Sequence, residues 1–118
     1  MNNLHVKRIA DSFGRREDKE FKATLFESAR LMLGVNCLEP GQAQKVHEHA
    51  AQDKFYAVQE GIGRFTVGQE TFDAGPGDVV WAPAGVPHGV ANQGKTRLSV
   101  LVGIAPAPAK AECPDRRL

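Results

Sequence analysis

From about position 39 onward, short apolar runs alternate with turn signals at intervals of roughly eight to twelve residues. The turn signals contain Gly, Pro or Asn, as in Glu39-Pro40-Gly41 and Gly75-Pro76-Gly77-Asp78. The runs between them, rich in Val, Phe, Tyr, Trp and Thr, are 54–59, 64–67, 70–73, 79–82, 89–91 and 96–104. Short strands with this regular spacing predict an all-β sandwich or barrel.

The first third of the chain is less regular. Residues 21–27 alternate between apolar and polar positions as a strand does, and residues 31–38 form a mostly apolar run. Residues 26–33 also fit one or two helical turns, and periodicity alone leaves both alternatives open. The polar stretch 11–20 predicts a solvated loop or a short helix.

Composition narrows the class of protein. The 118 residues are 42% hydrophobic and 25% charged, with a net charge of +1, as in an ordinary soluble domain. No basic stripe points to nucleic acid, and no apolar stretch approaches the roughly 18 residues of a membrane span. We therefore expect a cytoplasmic protein that binds neither nucleic acid nor membrane. Reduced Cys37 and Cys113 fit that compartment, and a disulfide between them is the alternative.

Three of the four histidines form the most informative pattern of the chain. In a β-strand, side chains at i and i+2 leave the same face, so His47 and His49 can converge on one point. The turn that precedes His88, Pro83-Ala84-Gly85-Val86-Pro87, can deliver a third imidazole. Three imidazoles suit iron, manganese, nickel, copper or zinc. The alternative is that they are surface or half-buried histidines without a metal, as we expect of His5.

The spacing around these histidines resembles the two conserved motifs of the cupin superfamily. The first begins with Gly41, continues after five residues with His47-Glu48-His49 and ends at Gly61. The second is Gly77, five residues, Pro83-x-Gly85, two residues, His88, three residues and Asn92. The turn residues also have mechanical reasons, since Gly77 and Gly85 permit tight bends and Asn92 can close the next turn through its side chain. The resemblance covers residues 31–104.

A cupin resemblance implies a jelly-roll β-barrel, or double-stranded β-helix, of two antiparallel sheets with a short N-terminal strand packing outside it. It also implies a homodimer, often formed through exchanged N-terminal strands, and a divalent transition metal held in the barrel mouth by His47, His49 and His88. We accordingly expect three segments: an N-terminal arm of strand and loop at 1–30, the barrel at 31–104, and a Pro- and Ala-rich, extended or disordered tail at 105–118.

The chain departs from the family pattern at one position. The first motif places Lys54 where the family usually has a carboxylate ligand, and Asp53 lies beside it. Three alternatives follow: Asp53 replaces the usual Glu; the site has three histidines with water or substrate in the open positions; or the protein holds no metal and Lys54 binds an anion or joins a salt bridge. Strand alternation puts Asp53 and Lys54 on opposite faces and does not choose between them.

The resemblance leaves the activity open, since the family includes dioxygenases, isomerases, decarboxylases, lyases and proteins that only bind small molecules. One hypothesis is an enzyme, dioxygenase-like or an isomerase, in which a metal assists a reaction on a small oxygenated or carboxylate compound. Lys54, Tyr56 and Trp81 are candidate substrate contacts, although aromatic residues are more often core or rim residues. The other hypothesis is a non-catalytic module that binds or senses a sugar or a carboxylate. No catalytic residue is assigned.

Overall fold

The computed structural model describes residues 4–48 and 50–108. Within that part of the chain, a single 3-10 turn at Ile9–Ser12 is followed by nine strands. In chain order they are β1 Phe21–Glu27, β2 Met32–Leu38, β3 Ala43–His47, β4 Asp53–Glu60, β5 Gly63–Val67, β6 Glu70–Ala74, β7 Val79–Ala82, β8 His88–Ala91 and β9 Leu98–Ala105. The described residues contain no helix long and apolar enough to cross a membrane.

The strands form two antiparallel sheets. One has five strands in the order β1-β2-β9-β4-β7, and the other has four in the order β3-β8-β5-β6. Strands β2 to β9 therefore make the two four-stranded layers of a jelly roll, which confirms the predicted fold class. β1 extends the larger sheet at its edge, paired with β2 and outside the eight strands of the barrel.

In the N-terminal third, the structure decides between the strand and the helical turns that the sequence allowed for residues 26–33. The alternative of helical turns over residues 26–33 is wrong, because β1 and β2 form a hairpin whose turn is closed by a 2.9 Å bond from Ser28 N–H to the carbonyl of Leu31. β3 was not among the apolar runs, since its sequence AQKVH lacks one. It forms because it pairs with β8, so a tertiary contact overrides weak local propensity.

The core lies between the two sheets. β4 alternates strictly, so that Lys54, Tyr56 and Val58 point inward while Asp53 and Phe55 point outward. The Tyr56 ring meets Phe65 of the opposite sheet edge-on, with centroids 5.2 Å apart. The most deeply buried apolar side chains of this core, each exposed by 2% or less, are Leu38, Tyr56, Val58, Phe65, Ala82, Leu98 and Val100. Burial of each large member contributes about 1.5–3 kcal/mol, so these contacts hold the two layers together.

The turns around β7 and β8 are set by residues of the second motif. Gly77 and Gly85 have φ of +92° and +79°, a region that other residues rarely adopt. The buried Asn92 amide donates to the carbonyls of Leu38, at 2.8 Å, and Thr96, at 2.9 Å. Its side-chain oxygen accepts the N–H of Gly94 at 3.0 Å. The predicted turn closure by Asn92 is thus confirmed, and the same side chain also ties the end of β8 to β2.

The two cysteines lie in different situations. Cys37 is buried in β2 with a free thiol, which accepts a contact from the Ser99 hydroxyl at 3.4 Å. Cys113 and the rest of the tail beyond Pro108 lie outside the described residues. The expectations for the tail therefore stay predictions.

Candidate functional site

Two of the three predicted ligand histidines lie side by side in the smaller sheet. His47 ends β3 and His88 begins β8, and the two residues face each other in the register of these strands. Their ring centroids are 4.7 Å apart, with the planes tilted by 56°. His88 is almost fully buried, at 1% exposure, whereas His47 is exposed. We refer to His47 and His88 as the histidine pair; His49, the third predicted ligand, lies outside the described residues.

Backbone carbonyls fix the tautomer of both rings. Nδ1 of His47 lies 2.8 Å from the carbonyl oxygen of Lys45, and Nδ1 of His88 lies 3.0 Å from that of Val86. A carbonyl oxygen only accepts, so each Nδ1 must carry the proton and donate it. In the neutral ring, Nε2 then has the lone pair that a metal ion or a hydrogen-bond donor needs.

Electrostatics keep His88 in that neutral form. Burial lowers the pKa of His88, and the electrostatic effects of Lys54 and His47 lower it further. The hydrogen bond from Nδ1 of His88 to the Val86 carbonyl acts in the opposite direction. Because protonated imidazole cannot ligate a metal, a lowered pKa extends the ligating form to more acidic conditions.

Lys54 points into the barrel from β4. Only 5% of its surface is exposed, and its ammonium Nζ lies 4.7 Å from the centroid of the Tyr56 ring. Burial lowers the pKa of Lys54 to about 8, with Lys22 lowering it and Glu20 raising it by smaller amounts. In residues 4–48 and 50–108, no hydrogen bond or ion pair reaches this ammonium.

Asp53 lies on the other face of β4. Its side chain is exposed, and Oδ1 accepts the backbone N–H of Ala84 at 2.9 Å. That bond holds the carboxylate against the turn before β8, while the neighbouring Lys54 occupies the interior. The alternation that the sequence left undecided therefore places the ammonium on the inner face and the carboxylate on the outer one.

The two aromatic candidates, Tyr56 and Trp81, lie on opposite faces of the larger sheet. Tyr56 is fully buried and donates its hydroxyl to Oε1 of Gln44 at 3.3 Å, and its ring centroid lies 6.3 Å from that of His88. Burial raises the pKa of Tyr56, so the phenol keeps its proton. Trp81, by contrast, is 55% exposed and pairs with Phe55 on the outer face of the larger sheet. Gln44, a buried polar residue of β3, is an interior group that sequence reasoning missed; its only signal was a polar side chain within the first motif.

Within residues 4–48 and 50–108, few side chains are placed to ligate a metal ion. That part contains no group of three or more His, Cys, Asp or Glu side chains able to hold a metal ion. It supplies two imidazoles whose tautomers suit a late first-row metal, so a closed set would need His49 or a ligand from solution. The chemistry of the pair thus fits a metal ion, although two imidazoles alone do not specify one.

Comparison with known proteins agrees with this architecture. A family profile described as "Cupin domain" matches residues 34–104, more than half of the chain. The crystal structure of TT1209 from Thermus thermophilus is 39% identical, with a TM-score of 0.85, over 87% of this chain and 98% of that one. A predicted oxalate decarboxylase from Thermotoga maritima is 22% identical, with a TM-score of 0.75, over 85% of this chain and 97% of that one, which shows a shared fold alone.

A curated relative carries no assigned activity. The uncharacterized protein MJ1618 from Methanocaldococcus jannaschii is 26% identical over 77 residues, which are 65% of this chain and 62% of that protein. The chain thus spans about three fifths of the length of this relative. Jelly-roll topology, the positions of the two motifs and the profile match lead to one conclusion: the chain belongs to the cupin family.

Proposed function

We propose that this chain is a metal-dependent cupin that binds a divalent transition metal through His47, His49 and His88. The ion would be iron, manganese, nickel, copper or zinc, and the reaction a dioxygenase-like or other metal-assisted step on a small oxygenated or carboxylate compound. The observation that carries the proposal is the histidine pair, in which backbone carbonyls hold both Nδ1–H groups and leave Nε2 as the ligand atom.

The placement of the neighbouring charges supports the three-histidine alternative for the ligand set. Asp53 is engaged by Ala84 outside the barrel, whereas Lys54 lies inside it. Three neutral imidazoles leave the full charge of a divalent ion uncompensated, so an anionic substrate or hydroxide would have to balance it.

Each interior residue has a separate task in this proposal. When bound, the ion would supply a Lewis acid or an oxygen-activating centre. The carbonyls of Lys45 and Val86 orient the imidazoles. Lys54 offsets negative charge on the substrate, and Tyr56 offers a phenol that stays protonated because burial raises its pKa.

Elemental analysis and metal titration test the proposal. We expect the purified protein to retain about one transition-metal ion per chain, and the metal-free protein to rebind at least one of the five candidate ions. His88→Ala should weaken that binding at least about 100-fold, whereas the exposed histidine control His5→Ala should leave it unchanged. Circular dichroism and a second variant, His88→Gln, separate loss of binding from loss of folding. Unchanged binding in folded His88 variants would reject the proposal.

The alternative function is a non-catalytic module for a small carboxylate or sugar, and one observation favours it. The ammonium of Lys54 is buried and forms no ion pair in the described residues, because Glu20, the carboxylate that acts on it, pairs with Lys22. Such an ammonium suits an anion even without a metal. Oxygen uptake or substrate turnover by the metal-loaded protein would favour the enzyme. A metal-free protein that binds small carboxylates and turns nothing over would favour the module.

The assembly and the compartment stay predictions. A homodimer and a cytoplasmic location follow from the resemblance and from composition, respectively. The exposed Val79 and Trp81, at 68% and 55%, lie on the outer face of the larger sheet and are compatible with burial against a second copy. Light scattering on the purified protein measures the oligomeric state directly.

A further inference from the structure

Lys54 carries a charge into the barrel interior that the described residues leave unbalanced. Its exposure is 5%, and its only recorded partner in that part of the chain is the face of the Tyr56 ring. An ammonium taken out of water costs several kcal/mol unless an opposite charge or hydrogen bonds compensate it, and a ring face supplies only part of that. A buried lysine in this state therefore points to a partner from solution.

The neighbours of Lys54 on its own sheet are apolar. Across β4 it faces Ala82 of β7 on one side and Ile104 of β9 on the other, and both are buried. These apolar side chains offer no hydrogen-bond acceptor and lower the local polarity, so they strengthen any electrostatic contact that the ammonium makes.

The titratable groups around Lys54 provide no net negative charge. From β8, the buried His88 faces the interior and carries no negative charge. His47, at the end of β3, is exposed, with its ring centroid 4.7 Å from that of His88. From the β1 side, Glu20 and Lys22 act on Lys54 with opposite signs, and their own charges are 3.8 Å apart. Among the described residues, the one carboxylate that acts on Lys54 is therefore shared with Lys22, and it does not form an ion pair with the Lys54 ammonium.

We propose that the barrel binds a small organic acid whose carboxylate pairs with Lys54 Nζ and whose remaining oxygen faces the histidine pair. The proposal rests on the proposed function for the role of the histidines. It deepens that function by choosing an organic acid among the candidate compounds and by assigning Lys54 as the residue that binds its carboxylate. The single negative charge of a carboxylate matches the single positive charge of the Lys54 ammonium. The apolar side chains of Ala82 and Ile104 favour a ligand whose remaining part is small and apolar over a large polar one. The ion pair with Lys54 does not itself require a metal.

Binding of pyruvate, acetate and the neutral isostere acetamide, measured by titration calorimetry, tests this assignment. Metal is first removed with phenanthroline, which has no carboxylate of its own, and the titrations are repeated after the metal is restored. The informative variant is Lys54→Met, which keeps the length of the side chain and removes the charge. The matched control is Lys95→Met in the loop between β8 and β9, where the lysine is exposed.

We expect pyruvate and acetate to bind the wild type and acetamide to bind at least tenfold more weakly. Lys54→Met should weaken carboxylate binding at least tenfold, about 1.4 kcal/mol, and Lys95→Met should change it less than twofold. Equal carboxylate binding by wild type and folded Lys54→Met, or no carboxylate binding with and without metal, would overturn the proposal.

The outcomes distinguish this proposal from the metal hypothesis. Carboxylate binding that requires metal and ignores Lys54→Met would overturn the assignment of Lys54 while the metal centre stands. Lys54-dependent binding by a protein that neither contains a transition metal as purified nor binds one when titrated would support the organic-acid site and reject the metal centre.

Discussion

Replacing Lys54 with methionine is expected to stabilise the protein. The ammonium is charged at neutral pH in both the folded and the unfolded chain, but only in the folded chain is it almost removed from solvent, with 5% exposure. Methionine has a similar length and is apolar, so it fills the same space between Ala82 and Ile104 without a charge to desolvate.

The size of the effect follows from the pKa of Lys54, which burial lowers from 10.5 to about 8. Each pKa unit corresponds to about 1.36 kcal/mol, so the folded state carries a penalty of roughly 3 kcal/mol while the lysine is protonated. The contact with the Tyr56 ring offsets about 0.5–2 kcal/mol of it. We therefore expect Lys54→Met to raise the free energy of unfolding at pH 7 by about 1–3 kcal/mol.

The pH dependence provides a sharper test, because its sign is determined by the direction of the shift. Between about pH 8 and pH 10.5 the unfolded chain keeps the proton on Lys54 while the folded chain loses it. Stability of the wild type, relative to the variant, must therefore rise with pH in this window and be lowest below pH 8. Subtracting the variant removes the contribution of the other titrating groups.

Urea unfolding of metal-free wild type and Lys54→Met at pH 7 and pH 10, in a buffer without carboxylates, measures both quantities. Lys95→Met is the control and should change stability by less than about 0.5 kcal/mol. A variant less stable than wild type at pH 7, or an advantage that does not shrink at pH 10, would refute the argument from burial. Added acetate should reduce the difference in the free energy of unfolding between Lys54→Met and wild type, because it stabilises wild type alone.

Three further outcomes follow from the structure. Lys54→Glu should tighten metal retention against a chelator at least about tenfold, because it restores an anionic ligand on the inner face, and Asp53→Asn should leave retention unchanged. The reverse result would identify Asp53 as the ligand. Asn92→Ala should lower the free energy of unfolding by about 2–4 kcal/mol, because two carbonyls and an N–H lose their hydrogen-bond partner. A decrease of less than about 1 kcal/mol, measured by urea unfolding, would contradict this. If the expected homodimer uses the outer face of the larger sheet, Trp81→Glu should yield a monomer in light scattering, and an unchanged mass would exclude that face.

Much of the fold was predictable because local signals agree with it. The strand β1 was predicted with the limits Phe21–Glu27 and β7 with the limits Val79–Ala82, as observed. Turn glycines and Asn92 set the connections through backbone conformation and hydrogen bonds close in sequence, which a spacing pattern can capture. β3 was not predicted from its apolar pattern, because its stability comes from the β8 strand that it pairs with.

The candidate site was predictable only as a set of residues. The sequence by itself predicted an all-β sandwich or barrel, because period-two patterning and Gly and Pro turns act locally. The cupin resemblance then implied the jelly roll and placed His47 and His88 in its two motifs. Only the tertiary structure decided that Lys54 faces inward while Asp53 bonds to Ala84 outside. The reason is physical: alternation gives a strand two faces, and which face is covered depends on the sheet that packs against it. A buried ammonium is therefore a property of the folded barrel, and no local pattern reveals it.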